Sequence, residues 1–575
     1  MIPYLRRYRN RYLKGLILVL FGGAFGIVTP LLLKYAVDTL EEGSTQEAIA
    51  WASLAIMCFA VIRGIFLFGS RFTIISTARM VEYDLREDLY RKLAHLPASY
   101  FDHHKTGDIT SRTINDLEGV RMVSGIAVLA SVGMTFLFLM SLAAMLYLKW
   151  DLALLATTPL LLVTGVFIIC GPRLHAYSLA SQEQLGAISN RAQEHYTGAR
   201  VVRAFSREKE EYNRFDKECT EYERRNVRYA KWRGLTFALM TLFIQLSIVI
   251  TLLVGGKGMI TGVVSKGDFV AFTAYQFMLI WPMIALGWVV NLVLRGAACM
   301  GRICEILDSP SEESAESLSE SPLLKGEIEI RDLTFAYETD RPPALSNVSL
   351  KIQPGWKVAL VGKTGSGKST LAHTLLRLYP VPNGTVFLDG KDINTLPLSD
   401  LRNSVSIAPQ DIFLWSDQIR NNILFGAKQE TTEEEINRVA EISQLSADIG
   451  KFTDGYDQII GERGLTLSGG QRQRTAIARA VIRKPAIIIL DDALSSVDSH
   501  TENEITQRLG AFMEGRTSIL ITHRLSTAKG ADLIVVLEEG RIREQGTHDE
   551  LLSTDGPYRQ MWKAHQLEER IEHRA

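Results

Sequence analysis

Six apolar stretches in the first 300 residues constrain the fold more than any other feature of this 575-residue sequence. A helix needs about 20 apolar residues to cross the hydrocarbon core of a bilayer. The first stretch follows a basic segment, but it is too long for a signal-peptide core and five more follow it. We therefore predict six membrane spans, at residues 14–37, 49–76, 124–148, 152–172, 235–260 and 269–294.

The segments between the spans predict their orientation. The N-terminal segment contains four arginines between residues 6 and 11, whereas the first connection, "TLEEGSTQE", has no Lys or Arg. The second and fourth connections (79–123 and 175–232) are long and rich in Lys and Arg. The positive-inside rule places both termini and both long connections in the cytoplasm. Their charged, Gly-poor sequences predict helices that extend the spans, with breaks near 101–108 and 197–205.

An acidic, Ser-rich segment, "DSPSEESAESLSESPLL", separates this half from a more polar one and is typical of a solvated linker. Beyond it, strand-like and helix-like patterns alternate, which predicts an α/β fold. We predict three parts: a six-helix membrane domain at 1–305, a linker at 306–325 and a nucleotide-binding domain at 326–575. The net charge of -1 gives no reason to expect nucleic acid as a partner.

The nonapeptide "GKTGSGKST" carries the most specific chemistry in the sequence. It follows the strand-like "WKVALV" and opens a predicted helix, the context that a phosphate-binding loop requires. Backbone N–H groups and the helix N-terminus would hold the phosphates, Lys368 would bridge the β- and γ-phosphates, and Ser369 would bind Mg²⁺. The predicted nucleotide contacts of this loop are Gly362, Lys363, Thr364, Gly365, Ser366, Gly367, Lys368, Ser369 and Thr370.

Two further motifs belong with this loop. The apolar strand "AIIIL" ends in Asp491, which we predict to hold the metal beside Ser369. "LSGGQ", with Ser468, Gly469, Gly470 and Gln471, lies at a predicted helix start and makes a second anion site. Because one ATP has one γ-phosphate, we expect this second site to serve the nucleotide of a partner chain.

The phosphate loop, "LSGGQ" and "ILDDALSSVD", in this order after six spans, resemble ATP-binding cassette (ABC) exporter half-transporters. The resemblance implies an ABC ATPase domain with a helical subdomain, and ATP and Mg²⁺ as cofactors. It implies that Tyr337 stacks on adenine, that Gln410 reaches the metal and the attacking water, and that His523 contacts the γ-phosphate. Asp498 would communicate across two ATP sites, and "GERG" (461–464) and the two breaks would pass motion between domains.

Asp492 departs from the family pattern, which has glutamate at this position. Its carboxylate would end about 1.5 Å short of the position that orients water, and a misplacement of that order costs roughly a hundredfold in rate. We therefore expect ATP binding with slow hydrolysis at this chain's own site. The intact "LSGGQ" would complete a competent site on a different half-transporter, so a heterodimer is favoured; a homodimer that works through Asp492 is the alternative.

The resemblance implies ATP-driven export of amphipathic drugs, lipids or peptides from a bacterial cell membrane. An ATP-gated channel or a nucleotide-binding regulatory subunit is the competing function. Three ionisable residues inside the spans, Lys34, Asp38 and Arg63, have no role that the sequence defines.

Overall fold

The computed structural model consists of two compact units, residues 1–94 with 106–309 and residues 95–105 with 310–575. It describes residues 1–41, 46–312, 324–338, 340–428, 430–461, 464, 466–494 and 499–572. Most of the predicted linker therefore lies outside the described residues.

The first unit is entirely helical. Six of its helical rods are long and apolar enough to cross a membrane, and each contains one of the predicted spans: Arg9–Glu41, Glu47–Ala94, Thr106–Leu148, Trp150–Ala204, Glu208–Ile260 and Lys266–Asp308. Two of the rods include π-helical turns, at Arg112–Asp116, Val123–Ala127 and Thr251–Gly255. The α-helices are α1 (Ile2–Arg7), α2 (Arg9–Glu41), α3 (Gln46–Ala94), α5 (Thr106–Ser111), α6 (Leu117–Met122), α7 (Val128–Leu148), α8 (Trp150–Ala204), α9 (Glu208–Ile250), α10 (Gly256–Ile260) and α11 (Lys266–Asp308).

The helices continue beyond the apolar spans, as the composition of the connections predicts. The first predicted break lies in a non-helical turn after Ala94, the short helix α4 (Ala98–His103) and the turn that follows it. The position of the second break was predicted wrongly. Helix α8 runs through 197–204, and the chain turns only at 205–207, where Ser206 has φ +49°. A single glycine, Gly198, costs a long helix only about 1 kcal/mol, too little to end it.

Ion pairs join the first and sixth rods at one end. Lys34 of α2 pairs with Asp268 of α11 at 2.5 Å. Asp38 accepts a 2.8 Å hydrogen bond from the backbone N–H of Gly267, where a side chain would overlap the Asp38 carboxylate. Lys266 pairs with Glu41 at 2.8 Å. Lys34 and Asp38 therefore have a structural role: they attach α2 to the start of α11.

Nearer the other end of α11, Arg302 forms a bidentate ion pair with the buried Asp116. Between the two ends, the buried hydroxyl of Tyr275 donates a 2.6 Å hydrogen bond to the carbonyl of Ile27. Helix α11 is therefore attached to its neighbours along most of its length.

The second unit is an α/β domain with two sheets. A four-stranded antiparallel sheet has the order β2-β1-β4-β5, and a six-stranded sheet has the order β10-β9-β3-β8-β7-β6. The strands are β1 (Ile328–Phe335), β2 (Leu345–Ile352), β3 (Lys357–Val361), β4 (Val386–Leu388), β5 (Lys391–Asp392), β6 (Val405–Ala408), β7 (Ile487–Asp491), β8 (Thr517–Ile521), β9 (Leu533–Glu538) and β10 (Arg541–Gly546).

Helices cover the second sheet, and one group extends the core on one side of it. Ile419 of α14, Ile436 of α15 and Ile477 of α17 pack in one cluster with Ile488 and Leu490 of β7. These helices correspond to the predicted helical subdomain. The helices of this unit besides α4 are α12 (Lys368–Leu375), α13 (Leu398–Ser404), α14 (Ile419–Leu424), α15 (Glu433–Ile442), α16 (Ser446–Ile449), α17 (Gly469–Ile482), α18 (Ser499–Met513), α19 (Leu525–Ala528), α20 (His548–Ser553) and α21 (Pro557–Glu572).

Candidate nucleotide site

Four neighbouring strands bring the predicted ATP residues to one edge of the six-stranded sheet. Strands β3, β8, β7 and β6 are adjacent and parallel, so their carboxyl ends meet at the same edge. The phosphate loop follows β3, His523 follows β8, Asp491 ends β7 and Gln410 follows β6. Ligands of open α/β sheets bind at this edge.

The phosphate loop adopts a conformation that only its glycines allow. Gly362, Gly365 and Gly367 have φ of +150°, +80° and +99°. A Cβ at Gly367 would overlap the carbonyl of Ala344, and one at Gly362 would overlap that of Leu537. The loop backbone is therefore kept in a conformation that leaves room for phosphate. The N-terminus of helix α12 points at the same place.

Lys368 lies inside the loop. Its Nζ donates 2.9 Å hydrogen bonds to the carbonyls of Gly362 and Lys363. Burial lowers the pKa of Lys368, because the charged ammonium is partly removed from water. A phosphate that displaced the two carbonyls would add its negative charge to those of Asp491 and Asp492, which already act on this ammonium.

Asp491 and Ser369 form the predicted metal pair. Burial raises the pKa of Asp491, and the nearby Ser369 hydroxyl offsets part of that rise. A carboxylate and a hydroxyl are the oxygen ligands that Mg²⁺ accepts alongside substrate phosphates. No cluster of three or more His, Cys, Asp or Glu that could hold a metal occurs among the described residues. The pair therefore fits a magnesium ion that arrives with the nucleotide.

Asp492 has a left-handed backbone conformation, with φ +47°. Its N–H donates to the carbonyl of Ile521 at 2.9 Å, and its own carbonyl accepts a 3.4 Å hydrogen bond from the Gln473 amide. Aspartate tolerates this conformation better than most residues. The backbone is thus fixed by two neighbouring elements, which sets how far a side chain at 492 can reach.

Tyr337 lies beside the phosphate loop. Its hydroxyl donates a 3.0 Å hydrogen bond to Thr370, and 42% of the residue is exposed, which leaves ring surface for stacking. Its ring contacts that of Tyr379 edge-on, with 4.9 Å between centroids. Sequence reasoning missed Tyr379, because its position after helix α12 carries no motif of its own.

Gln410 and His523 are both exposed at the sheet edge, each within two residues of a strand end. Among the described residues, neither has a hydrogen bond or ion pair that orients it toward phosphate. Their positions are compatible with the predicted roles, which remain predictions.

The "LSGGQ" segment begins helix α17 with a capping box. Ser468 accepts a hydrogen bond from the Gln471 N–H, and the Gln471 side chain accepts one from the Ser468 N–H. Asp448 anchors the start of the helix through Gln471 and through an ion pair with Arg474. The motif is exposed at Ser468, where a partner's nucleotide could approach. Asp498 and half of the "GERG" segment, Glu462 and Arg463, lie outside the described residues.

Comparisons with known proteins agree with this architecture. Residues 12–283 match the family model "ABC transporter transmembrane region", and residues 345–495 match the model "ABC transporter". The chain is 36% identical to the ATP-dependent lipid A-core flippase of Hahella chejuensis, over 92% of this chain and 90% of that protein. It is 32% identical to a multidrug resistance-like ATP-binding protein of Escherichia coli K12, over 98% and 96%.

Among solved structures, a bacterial Atm1-family ABC exporter with ATP bound superposes with a TM-score of 0.78. The two chains are 26% identical, and the match covers 97% of this chain and 98% of that one. Six spans joined to a phosphate-loop ATPase define an ATP-driven membrane exporter. The chain belongs to the ABC transporter family and is an ATP hydrolase coupled to transport.

Proposed function

We propose that this chain is one half of a dimeric exporter that moves amphipathic solutes out across a bacterial inner membrane. Both termini and the ATPase domain would face the cytoplasm, because the positive-inside rule places the Lys- and Arg-rich connections there. The proposal rests on a difference between the binding residues and the catalytic residue of this chain's ATP site. Every element for binding is present, but Asp492 stands where the family pattern has the water-orienting glutamate.

Binding of ATP with Mg²⁺ would use the loop backbone, Lys368, Ser369 and Asp491. When bound, the metal would neutralise charge on the transferred phosphoryl group. Asp491, ionised, would hold the metal shell against Ser369. Tyr337 would stack on the base and so orient the nucleotide.

Hydrolysis at this site would be slow. The short side chain of Asp492 starts from a backbone held by Ile521 and Gln473, so it cannot advance toward the phosphate without a local shift. The second half-transporter would carry a glutamate at this position, and the "LSGGQ" of this chain would close over that partner's ATP. A heterodimer with one slow and one fast site follows.

The arrangement favours alternating access as the transport cycle. Two nucleotide domains would close on ATP, and the helices that extend into the cytoplasm would carry that movement to the spans. Release of phosphate at the fast site would reset the exporter, while the slow site keeps its nucleotide over several cycles.

Native mass spectrometry of the complex, purified by a tag on this chain from its own membrane, tests the assembly. We expect a second, different half-transporter in the complex. Two identical chains would overturn the heterodimer and would require Asp492 to catalyse hydrolysis at both sites.

Transport assays in inside-out vesicles distinguish an exporter from an ATP-gated channel. With ATP, an exporter accumulates a fluorescent amphiphile inside the vesicle above its external concentration. A channel can only equalise the two concentrations, so equal final levels would exclude active export.

A further inference from the structure

An apolar cavity lies between the third, fourth and sixth rods. One lobe, of 240 Å³, lies between α7, α8 and α11, and a second, of 320 Å³, lies between α8 and α11. Thr164, Met283 and Leu286 line both lobes, so the two are adjacent. Their combined size is that of a pocket for a drug-sized molecule.

The lining of this cavity is apolar with a few neutral polar groups. Phe138 and Phe167 contribute aromatic faces, and Met134 and Met283 contribute adaptable sulfur side chains. The Ser131 hydroxyl donates to the Ala127 carbonyl at 2.6 Å, which leaves its oxygen as an acceptor toward the cavity.

The far lobe ends at His175 and Asn291, which offer a further donor and acceptor. Among the described residues that line the two lobes, there is no Asp, Glu, Lys or Arg. A charged ligand would lose its hydration there without gaining a charged partner from this chain.

Phe167 controls the width of the far lobe. Its ring lies against Gly287 of α11, where a Cβ would overlap the ring. Gly287 is thus the residue that lets the ring pack this closely against α11. Any side chain at 287 would push the ring away from α11.

We propose that this cavity binds an uncharged, ring-containing amphiphile, and that Phe167 and Gly287 determine which molecules fit. The inference rests on the proposed export function and names its substrate class. Of the two kinds of relative described above, it favours a cargo of the multidrug type over one of the lipid A-core type at this position.

Photolabelling with two benzophenones of opposite character tests the proposal. 4-(Hydroxymethyl)benzophenone is neutral and 4-benzoylbenzoate is anionic, while their ring systems are the same and both label methionine preferentially. The whole complex, in nanodiscs, is labelled and its methionine adducts are quantified by mass spectrometry. Met57 and Met140, which are exposed on the outside of the unit, report background labelling from the bilayer.

We expect saturable labelling of Met134 and Met283 by the neutral probe, and about tenfold less by the carboxylate because an unpaired charge is costly to bury. Labelling no stronger than at Met57, or equal labelling by the two probes, would overturn the proposal. Vesicle uptake is measured in parallel. Uptake with unlabelled cavity methionines would reject the cavity and keep the exporter, whereas absent uptake would reject the proposed function.

Two alanine variants test the role of Phe167. Gly287→Ala should change Met283 labelling by at least several-fold, because the displaced ring alters the lobe. Gly165→Ala is the matched control, since a Cβ at this helical glycine of α8 meets open space. Equal labelling in the two variants would remove Phe167 and Gly287 from the proposal. If Gly287→Ala does not fold, Phe167→Ala, which only removes atoms, provides the same test.

Discussion

Tyr379 donates a 2.7 Å hydrogen bond to the carboxylate of Asp102. Asp102 belongs to α4, the short helix of the first long connection, and this segment packs as part of the nucleotide-binding unit. The same tyrosine touches the ring of Tyr337, the residue expected to stack on adenine. Tyr337, Tyr379 and Asp102 therefore form a chain of contacts from the predicted adenine position to α4, which lies between the second and third membrane spans.

We expect Tyr379→Phe to weaken the link between ATP binding and transport. The ring contact with Tyr337 is kept, so ATP affinity should stay within about twofold, while the lost hydrogen bond removes about 1 kcal/mol from the contact with α4. Nucleotide binding and uptake in vesicles, measured on the same preparation, should separate. Asp102→Asn is the matched control, because it keeps an acceptor for the hydroxyl. If uptake by the Tyr379→Phe variant is unchanged, this hydrogen bond does not contribute to the coupling between ATP binding and transport.

Asp492→Glu should accelerate hydrolysis at this chain's own site, by up to about a hundredfold. The extra methylene brings the carboxylate toward the attacking water, although glutamate pays about 1 kcal/mol more than aspartate for the left-handed backbone. Single-turnover hydrolysis in the purified complex measures the change. Asp492→Asn is the control: turnover as fast as the original would show that no carboxylate acts at this position.

Asp491→Asn should stabilise the nucleotide-free protein and abolish magnesium-dependent ATP binding. Burial raises the pKa of Asp491, so its stabilising protonated form is lost as pH rises through that pKa, and the buried charge destabilises the protein above it. Thermal unfolding with and without Mg-ATP tests both halves of this expectation. The stabilising effect should fade as the pH is lowered, since the original acid then becomes neutral too.

Asp389→Asn provides the contrast to Asp491→Asn. The Asp389 carboxylate accepts hydrogen bonds from consecutive backbone N–H groups, among them that of Glu327 at 2.8 Å. Replacing it should therefore destabilise the same unit. If both substitutions shifted stability in the same direction, burial would not explain the effect at Asp491.

Lys34→Met should weaken the join between α2 and α11. The Lys34–Asp268 pair is about one-third exposed on the lysine side, so we expect a coupling of about 1 kcal/mol rather than the larger energy of a fully buried pair. A double-mutant cycle with Asp268→Asn, followed by thermal unfolding in nanodiscs, measures it. Additive single effects would show that the two side chains do not interact.

The membrane spans and the phosphate loop could be predicted because each is a local pattern. Hydrophobic length alone defines a span, and a loop such as Gly362–Thr370 brings its own turn and its own ligands. The edge position of Asp491 also follows from sequence order, since a strand delivers its last residue to a fixed edge of a parallel sheet.

Contacts across long stretches of chain could not be predicted in this way. Tyr379 and Asp102 are 277 residues apart, and nothing near either residue indicates the other. The pairing of Lys34 with Asp268 likewise depends on which two rods lie side by side. The second break was placed a few residues too early, since helix α8 continues through 197–204 despite Gly198.

Helix α11 runs unbroken for 43 residues, roughly 65 Å at 1.5 Å per residue. It is pinned by Gly267 and Asp268 at its start and by Arg302 near its end, and its single proline, Pro282, lies in the wall of the cavity. A helix that is held at both ends bends most easily where its backbone hydrogen bonds are interrupted, and a proline interrupts them. Movement of either end of α11 would therefore bend the helix at Pro282, in the wall of the cavity. Substrate binding and the movement of the helix ends would then act on the same residue.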